Sequence, residues 1–478
     1  MSVNSKIKKG FVWDLGSNFV RQLTSLIISI VLARILSPDE FGIVGMALVF
    51  IHISEVFIDV GFTSGLIQNT KISDFAYSSV FFLNIFIGIL IGVLIFFTAP
   101  LIGSFYNEPK VEEILRYLAF VPIISAFGRV HSTLLTKDMN FKKLSIRMVI
   151  ATFLAGGVGV IAAVNDFGVY SLVVQQLTLV ASSTILLWYS STWRPKWFFS
   201  WHEISSLFKY SSYVFIDQLF RQLFNKIDTL FIGKVFSPSI LGFYSRAESL
   251  KSQIDTYATV SLRNVLFPAL SVLQNDEDEF KSIFYKVSNL STGLVIFILA
   301  PVFFLAEDII IFLLGEVWQP SVIYFRILLV STLSSPHISI ISQTILAKGY
   351  SKLKFHIGLG QRIIKLSPIL IGIIYGIIEF TIATTIASIL IFFFYAFVLN
   401  IKLKISFFRQ VKNFIVPSFI FFIFIFIFFY LNSNPYVLTV LFLFTYIILL
   451  RIMNHPAIYF MRDKLFLMAF YIRKMVIK

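Results

Sequence analysis

Two arginines set deep in apolar stretches are the residues of this sequence best placed to do chemistry. Arg21 lies about ten residues into its stretch, roughly 15 Å along a helix and near the middle of a bilayer, and Arg221 lies at a similar depth in a later one. A charge at that depth costs about 2.5 to 3.5 kcal/mol on insertion scales, so each needs a partner or a watery cavity. Asp14, Asn18, Arg21 and Ser25 are spaced four, three and four residues apart, which places them on one helix face, and Asp217, Arg221, Asn225 and Asp228 form a second stripe of the same kind. Two such stripes suit a shared cavity in which Arg21 and Arg221, with Asn18, Gln22 and Asn225, attract an anionic group such as a phosphate, which guanidinium binds in bidentate geometry. The alternative is that each arginine is neutralised by an aspartate of its own helix, Asp217 at i−4 or Asp14 at i−7, and holds helices together. Both readings rest on the same residues.

Carboxylates form a second set. Glu55 and Asp59 share a face of the next apolar stretch, and Asp255 matches Glu55 at an offset of two hundred positions. With Asp217 they are candidates for proton or sodium coupling, the other reading being ion pairs with the arginines. His52, one turn before Glu55, could join a proton relay, and Arg129, His131, Arg326 and His337 are further intramembrane candidates. The chain has no cysteine, which excludes disulfides, thiolate catalysis and cysteine metal sites. It also lacks an HExxH sequence and a phosphate-binding GxxxxGK[ST] loop. The expectation is therefore no catalytic residue, no metal and no cofactor, with a proton or sodium gradient, or consumption of the substrate, as the driving force.

Membrane helices must position these residues. With 57% hydrophobic residues, 14% charged residues and a mean hydropathy of +0.86, the chain lacks the polar surface of a soluble fold. Its charge of +15 does not point to nucleic acid, because the basic residues are scattered between apolar runs. The lysines at 6, 8 and 9 precede a span too long for a signal-peptide core, so the first span reads as permanent. Spans are expected near 11–33, 40–62, 78–99, 114–136, 144–164, 168–190, 208–233, 240–268, 283–305, 320–346, 355–376, 378–400, 412–431 and 436–452. On this count, one side collects Lys71, Lys137, Lys142, Lys143, Arg147, Lys348, Lys352, Lys354 and the basic tail. The other side holds only Arg34, Lys110 and Lys234, which supports about 14 transmembrane helices with both termini cytoplasmic.

The chain also repeats itself. Arg21, Gln22, Leu23, Ile27, Ser37, Pro38 and Gly42 recur as Arg221, Gln222, Leu223, Ile227, Ser237, Pro238 and Gly242. Six helices separate the copies, so the repeats are parallel. The expected organisation is a lobe at 1–191, an interfacial linker at 192–209 rich in tryptophan and basic residues, a second lobe at 210–401, and two additional helices with a basic tail at 402–478. In Ser37, Pro38, Asp39 and Glu40 the serine caps, the proline takes the first helical position and the glutamate completes a capping box; Ser237 and Pro238 lack that glutamate and cap with serine alone.

The opening from Lys9 to Phe50, FYNEP at Phe105 to Pro109, TKDMNFKKLS from Thr136, RNVLFPALSVLQ from Arg263 and LLGEVWQPS from Leu313 resemble a known family in order and spacing. They are similar to the polysaccharide transporter branch of the multidrug, oligosaccharidyl-lipid and polysaccharide exporter superfamily, above all its Wzx-type flippases. The resemblance implies an all-α polytopic membrane protein, a V-shaped two-lobe transporter with two extra C-terminal helices. It implies a flippase of lipopolysaccharide or exopolysaccharide biosynthesis, in a bacterial cytoplasmic (inner) membrane. The implied cargo is an undecaprenyl-pyrophosphate-linked oligosaccharide moved to the outer leaflet by alternating access, with Arg21 and Arg221 meeting its pyrophosphate or acidic sugars. Membrane lipids, a polysaccharide polymerase and chain-length machinery are the implied partners. A multidrug cation antiporter of the same superfamily and a membrane polysaccharide polymerase are the alternatives. Short outer loops disfavour the polymerase, and the surplus of arginine over carboxylate on the first and seventh helices disfavours the antiporter.

Overall fold

The computed structural model describes residues 3–68, 73–431 and 433–458. Side chains are described from Gly16 onward, except at 18, 206, 208–210, 213, 257–258 and 260–265. Asp14, the basic tail beyond 458 and the Asn18 side chain therefore lie outside the described residues.

Among these residues every regular element is a helix. They are α1 (Val3–Ile35), α2 (Pro38–Asp59), α3 (Phe62–Gln68), α4 (Asp74–Tyr106), α5 (Pro109–Leu118), α6 (Phe120–Lys137), α7 (Phe141–Val164), α8 (Tyr170–Ser190) and α9 (Trp201–Val235). There follow α10 (Pro238–Val272), α11 (Glu277–Phe304), α12 (Ala306–Leu314), α13 (Ser321–Ser331), α14 (Ser335–Ala347), α15 (Ser351–Tyr375), α16 (Ile377–Leu403), α17 (Phe407–Tyr430) and α18 (Pro435–Ile452). The all-α membrane architecture expected from composition is what the chain adopts. Eleven segments among the described residues are long and apolar enough to cross a bilayer, and three of them are broken helices, α2 with α3, α5 with α6, and α13 with α14. Outside those eleven, α1, α9 and α10 have 33, 35 and 35 residues, long enough to span. The latter two are interrupted by charge, Asp217, Arg221, Lys226 and Asp228 on α9 and Arg246, Glu248, Lys251 and Asp255 on α10.

Local chemistry explains the boundaries. At the start of α2 the Ser37 N–H donates to Glu40 Oε2 at 2.7 Å while the Glu40 N–H donates to Ser37 Oγ at 3.4 Å, the expected capping box. At the start of α10 only Ser237 acts, its Oγ accepting from the Ile240 N–H at 3.3 Å. Val60 and Gly61, at φ 43° and 74°, end α2 in left-handed backbone.

Two compact units divide the chain, Met1–Ser245 and Arg246–Lys478. In the first, α7 packs on α1 and α8, α4 on α5 and α6, and α9 on α2, α3 and α4. Helix α9 begins at Trp201, inside the stretch read as a linker, and its start is stitched to α4. Ser73 Oγ donates to Glu203 Oε1 at 2.9 Å, and the Lys196 and Ser200 N–H groups donate to Ser78 Oγ and Ser79 Oγ at 3.1 and 2.9 Å. In the second unit α15 packs on α16, α11 on α17 and α18, and α13 and α14 on α16. Part of its phenylalanine content is core, where Phe303, Phe304, Phe421 and Phe442 meet ring to ring at about 6 Å. Such packing matters more in lipid than in water, because lipid tails remove the hydrophobic drive between helices.

Candidate functional site

The polar stripe of α9 is intact. Arg221 Nη2 lies 3.3 Å from Asp217 Oδ2 one turn earlier, with side chains 58% and 44% exposed, and Asn225 is exposed one turn further on. At that exposure the pair contributes little to stability. Arg21 and Gln22 are half-buried on α1. Because α1 packs on α7 and α9 on α2, α3 and α4, the two arginines sit on helices with different neighbours.

Glu55 and His52, one turn apart on α2, lie in a denser charged region of the first unit. The Glu55 carboxylate interacts with the Arg129 guanidinium of α6, Arg129 with Arg147 of α7, and His52 with Lys226 of α9. The Nε atoms of Arg129 and Arg147 are buried with no hydrogen-bond partner. Charges on α6, α7 and α9 thus act pairwise on Glu55 and His52 of α2 and on one another, with cations in excess. Sequence reading took Arg147 for a loop charge, since it lies close to the start of α7. Its offset into the helix was the signal available, and the approach of α6 to α7 was not readable.

The remaining carboxylates have local partners. Asp59 is 9% exposed, and its Oδ1 accepts from the Thr63 N–H at 3.0 Å and the Thr63 hydroxyl at 2.5 Å, capping α3. Thr63 in turn meets Thr133 of α6 at 3.0 Å. In the second unit Asp255 pairs with Lys251 at 2.7 Å and accepts from Ser335 Oγ of α14 at 3.3 Å, while its Oδ1 is buried and unpartnered.

Of the three histidines raised from sequence, His131 and His337 are core residues with opposite surroundings. His131 is fully buried among Phe81, Trp188 and Trp193, and neither ring nitrogen has a partner. His337 is held between Ser288 Oγ at 3.1 Å and Thr292 Oγ1 at 2.9 Å. No group of three or more histidine or carboxylate side chains that could hold a metal occurs among the described residues.

Two lysines that the sequence reading placed among the charges of one membrane side repeat one device. Lys137 Nζ donates to the Leu66 carbonyl at 3.0 Å and the Tyr77 hydroxyl at 2.8 Å. Lys348 Nζ donates to the Gln274 carbonyl at 2.5 Å and sits 4.5 Å from the Phe280 ring centre. Each satisfies a carbonyl where the second helix of its repeat ends, beside an aromatic ring of the third. The capping segments of α2 and α10 also meet. Asp39 Oδ1 accepts from Ser239 Oγ at 3.0 Å, Gly42 lies against the Pro238 carbonyl and Gly242 against the Pro38 carbonyl.

A family model described as "Polysaccharide biosynthesis protein" matches residues 31–323. The chain is 22% identical over 376 residues to the lipopolysaccharide biosynthesis protein WzxC of Escherichia coli, covering 78% of this chain and 76% of that protein. It is 26% identical over 292 residues to the succinoglycan biosynthesis transport protein ExoT of Rhizobium meliloti, covering 60% and 58%. Among solved structures it resembles the lipid II flippase MurJ in an inward closed conformation, with a TM-score of 0.73 at 16% identity, covering 93% of this chain and all of that one.

Proposed function

The chain belongs to the polysaccharide biosynthesis protein family, and from that membership we infer that it is a flippase that carries a lipid-linked oligosaccharide across the membrane by alternating access. The family match over 31–323 is the observation that carries this reading. The names of the relatives support it, one a Wzx protein of lipopolysaccharide biosynthesis and one a transport protein of succinoglycan biosynthesis. The flippase fold supports a membrane transporter rather than a polymerase.

We take the substrate to be an undecaprenyl-pyrophosphate-linked repeat unit, moved from the inner to the outer leaflet of a bacterial cytoplasmic membrane by two six-helix lobes, with both termini inside. The scarcity of basic residues on one face of the membrane supports that orientation. Arg21, Arg221, Asn18, Gln22 and Asn225 are the proposed substrate contacts, and the Arg129 and Arg147 pair adds cationic charge to the first unit. Glu55, Asp59, Asp217 and Asp255 are the proposed ion-coupling residues, with a proton or sodium gradient as the drive, and a polysaccharide polymerase and chain-length machinery act downstream.

Deletion of the gene should accumulate lipid-linked repeat units protected from reagents applied to the outer surface, and the wild-type chain should clear them. Resistance to cationic drugs on overexpression, with no such accumulation, would replace this reading by the antiporter.

A further inference from the structure

A cavity of about 660 Å³ opens in the second unit between α13, α16 and α17, with Phe303 of α11 and Glu307 of α12 at one end. Its walls are aliphatic and aromatic. Ile378, Ile382, Ile386 and Ile389 recur at helical spacing along α16, opposite Val330 and Phe422. The only hydroxyl in these walls, that of Thr385, is turned away to the Ile327 carbonyl at 2.9 Å. Away from Glu307, Gln319 and Arg326, the groove offers its length to a hydrocarbon chain. Ile386, 51% exposed, and Ile382, 42% exposed, leave it open to the side. From Ile378 to Ile389 it runs about 16 Å along α16, close to half of a hydrocarbon core of roughly 30 Å, which is one leaflet.

Charge is confined to one end, the end opposite the basic loops. Arg326 Nη2 stands 3.7 Å from Glu307 Oε2, an ion pair longer than a hydrogen bond. Its Nε donates to the Phe303 carbonyl at 3.4 Å, and its guanidinium lies 5.0 Å from the Phe428 ring centre. Asp308 also acts on this guanidinium from beyond the groove walls, its carboxylate bonded to the Tyr436 hydroxyl, so Glu307 is the carboxylate that faces Arg326 in the groove. That balance opposes a pyrophosphate, whose several negative charges would meet the Glu307 carboxylate. It matches a headgroup bearing a phosphate and an ammonium together.

We propose that this groove seats a zwitterionic phospholipid, its phosphate on Arg326, its ammonium on Glu307, and an acyl chain along α16. The site is separate from the substrate contacts and does not depend on the transport reading.

Native mass spectrometry of the full chain in detergent, supplied in turn with phosphatidylethanolamine, phosphatidylglycerol and undecaprenyl phosphate, tests it. Phosphatidylethanolamine should be retained about tenfold over the other two, as one charge-assisted contact implies. Arg326→Gln should lower that retention about tenfold, and Glu307→Gln should abolish the preference over phosphatidylglycerol. Ile386→Trp, which fills the groove, should remove the bound lipid, whereas Leu101→Trp on a lipid-facing surface of the first unit should leave it. Equal retention of phosphatidylglycerol, preference for undecaprenyl phosphate, or unchanged retention in Arg326→Gln would each overturn the proposal. Should Ile386→Trp fail to fold, the two charge variants, both at the rim of the groove, decide it.

Discussion

Gly42 and Pro238 approach so closely that a Cβ on the glycine would stand 1.8 Å from the proline carbonyl oxygen. The reverse contact is nearly the same, a Cβ on Gly242 standing 1.9 Å from the Pro38 carbonyl. These four residues are the two copies of one capping sequence, two hundred positions apart, and each copy uses its glycine to admit the proline of the other. The backbone oxygens cannot retreat as a flexible side chain would, because each belongs to the first turn of a helix.

Gly42→Ala and Gly242→Ala should therefore each be destabilising by about 1 to 3 kcal/mol or more, the cost of overpacking a site that cannot relax. Gly45→Ala is the control. A Cβ there meets Leu241 at 3.7 Å, an ordinary contact, and should be tolerated. Thermal melts of the three variants in detergent measure this, and equal melting points for Gly42→Ala and Gly45→Ala would refute the close approach.

The contact between α2 and the start of α10, both within the first unit, is expected to part in one half of an alternating-access cycle. Asp39 and Ser239, 3.0 Å apart, lie at its edge. The chain has no cysteine, so an Asp39→Cys, Ser239→Cys pair can be crosslinked with no background thiol. Crosslinking with a short cleavable thiol reagent should stop delivery of lipid-linked oligosaccharide to the outer leaflet, and cleavage of the crosslink should restore it. Undiminished delivery by the crosslinked protein would exclude α2 and α10 from the moving parts.

What could be read in the sequence was what depends on near neighbours. Ser37 with Glu40, and Ser237 alone, follow from chemistry three residues apart, and the helices follow from runs of apolar residues. Spacing along one helix put Asp59 on the face of Glu55, and α2 holds both, but that spacing gave no sign that the Asp59 carboxylate also caps α3 beyond Gly61. Arg147 entered the charged region of Glu55 and Arg129 only through the packing of separate helices, which no spacing along the chain encodes. The closeness of Gly42 to Pro238 was half legible, since the repeat named the two segments and gave no sign that they touch.

Arg221 and Asp217 separate the two readings of the α9 stripe. If the pair only neutralises a charge, Asp217→Asn, which leaves the arginine alone, should harm insertion at least as much as Arg221→Ala. If Arg221 meets the substrate, Arg221→Ala should abolish surface polysaccharide at normal membrane levels, and Asp217→Asn should retain it. Polysaccharide output and membrane abundance, measured together, check both. Unchanged output in an Arg21→Ala, Arg221→Ala double variant would remove the arginines from the substrate path.

His455 follows α18 and is 5% exposed, packed over Gly293. Its Nδ1 accepts from the Ala457 N–H at 3.3 Å, and its Nε2 is buried without a partner. A proton on Nδ1 would face that N–H, and burial holds the imidazole neutral, pushing its pKa down to about 4 from 6.5. Between those values the unfolded chain binds the proton and the folded chain does not, so stability is full above pH 6.5 and falls as the pH drops toward 4. The loss reaches about 3 kcal/mol at its lower end. His455→Gln cannot take up the proton, so its melting temperature should fall less between pH 7 and pH 4 than that of the wild type. Parallel curves for the two proteins would mean that His455 is protonated in the folded state and that its cavity admits the charge.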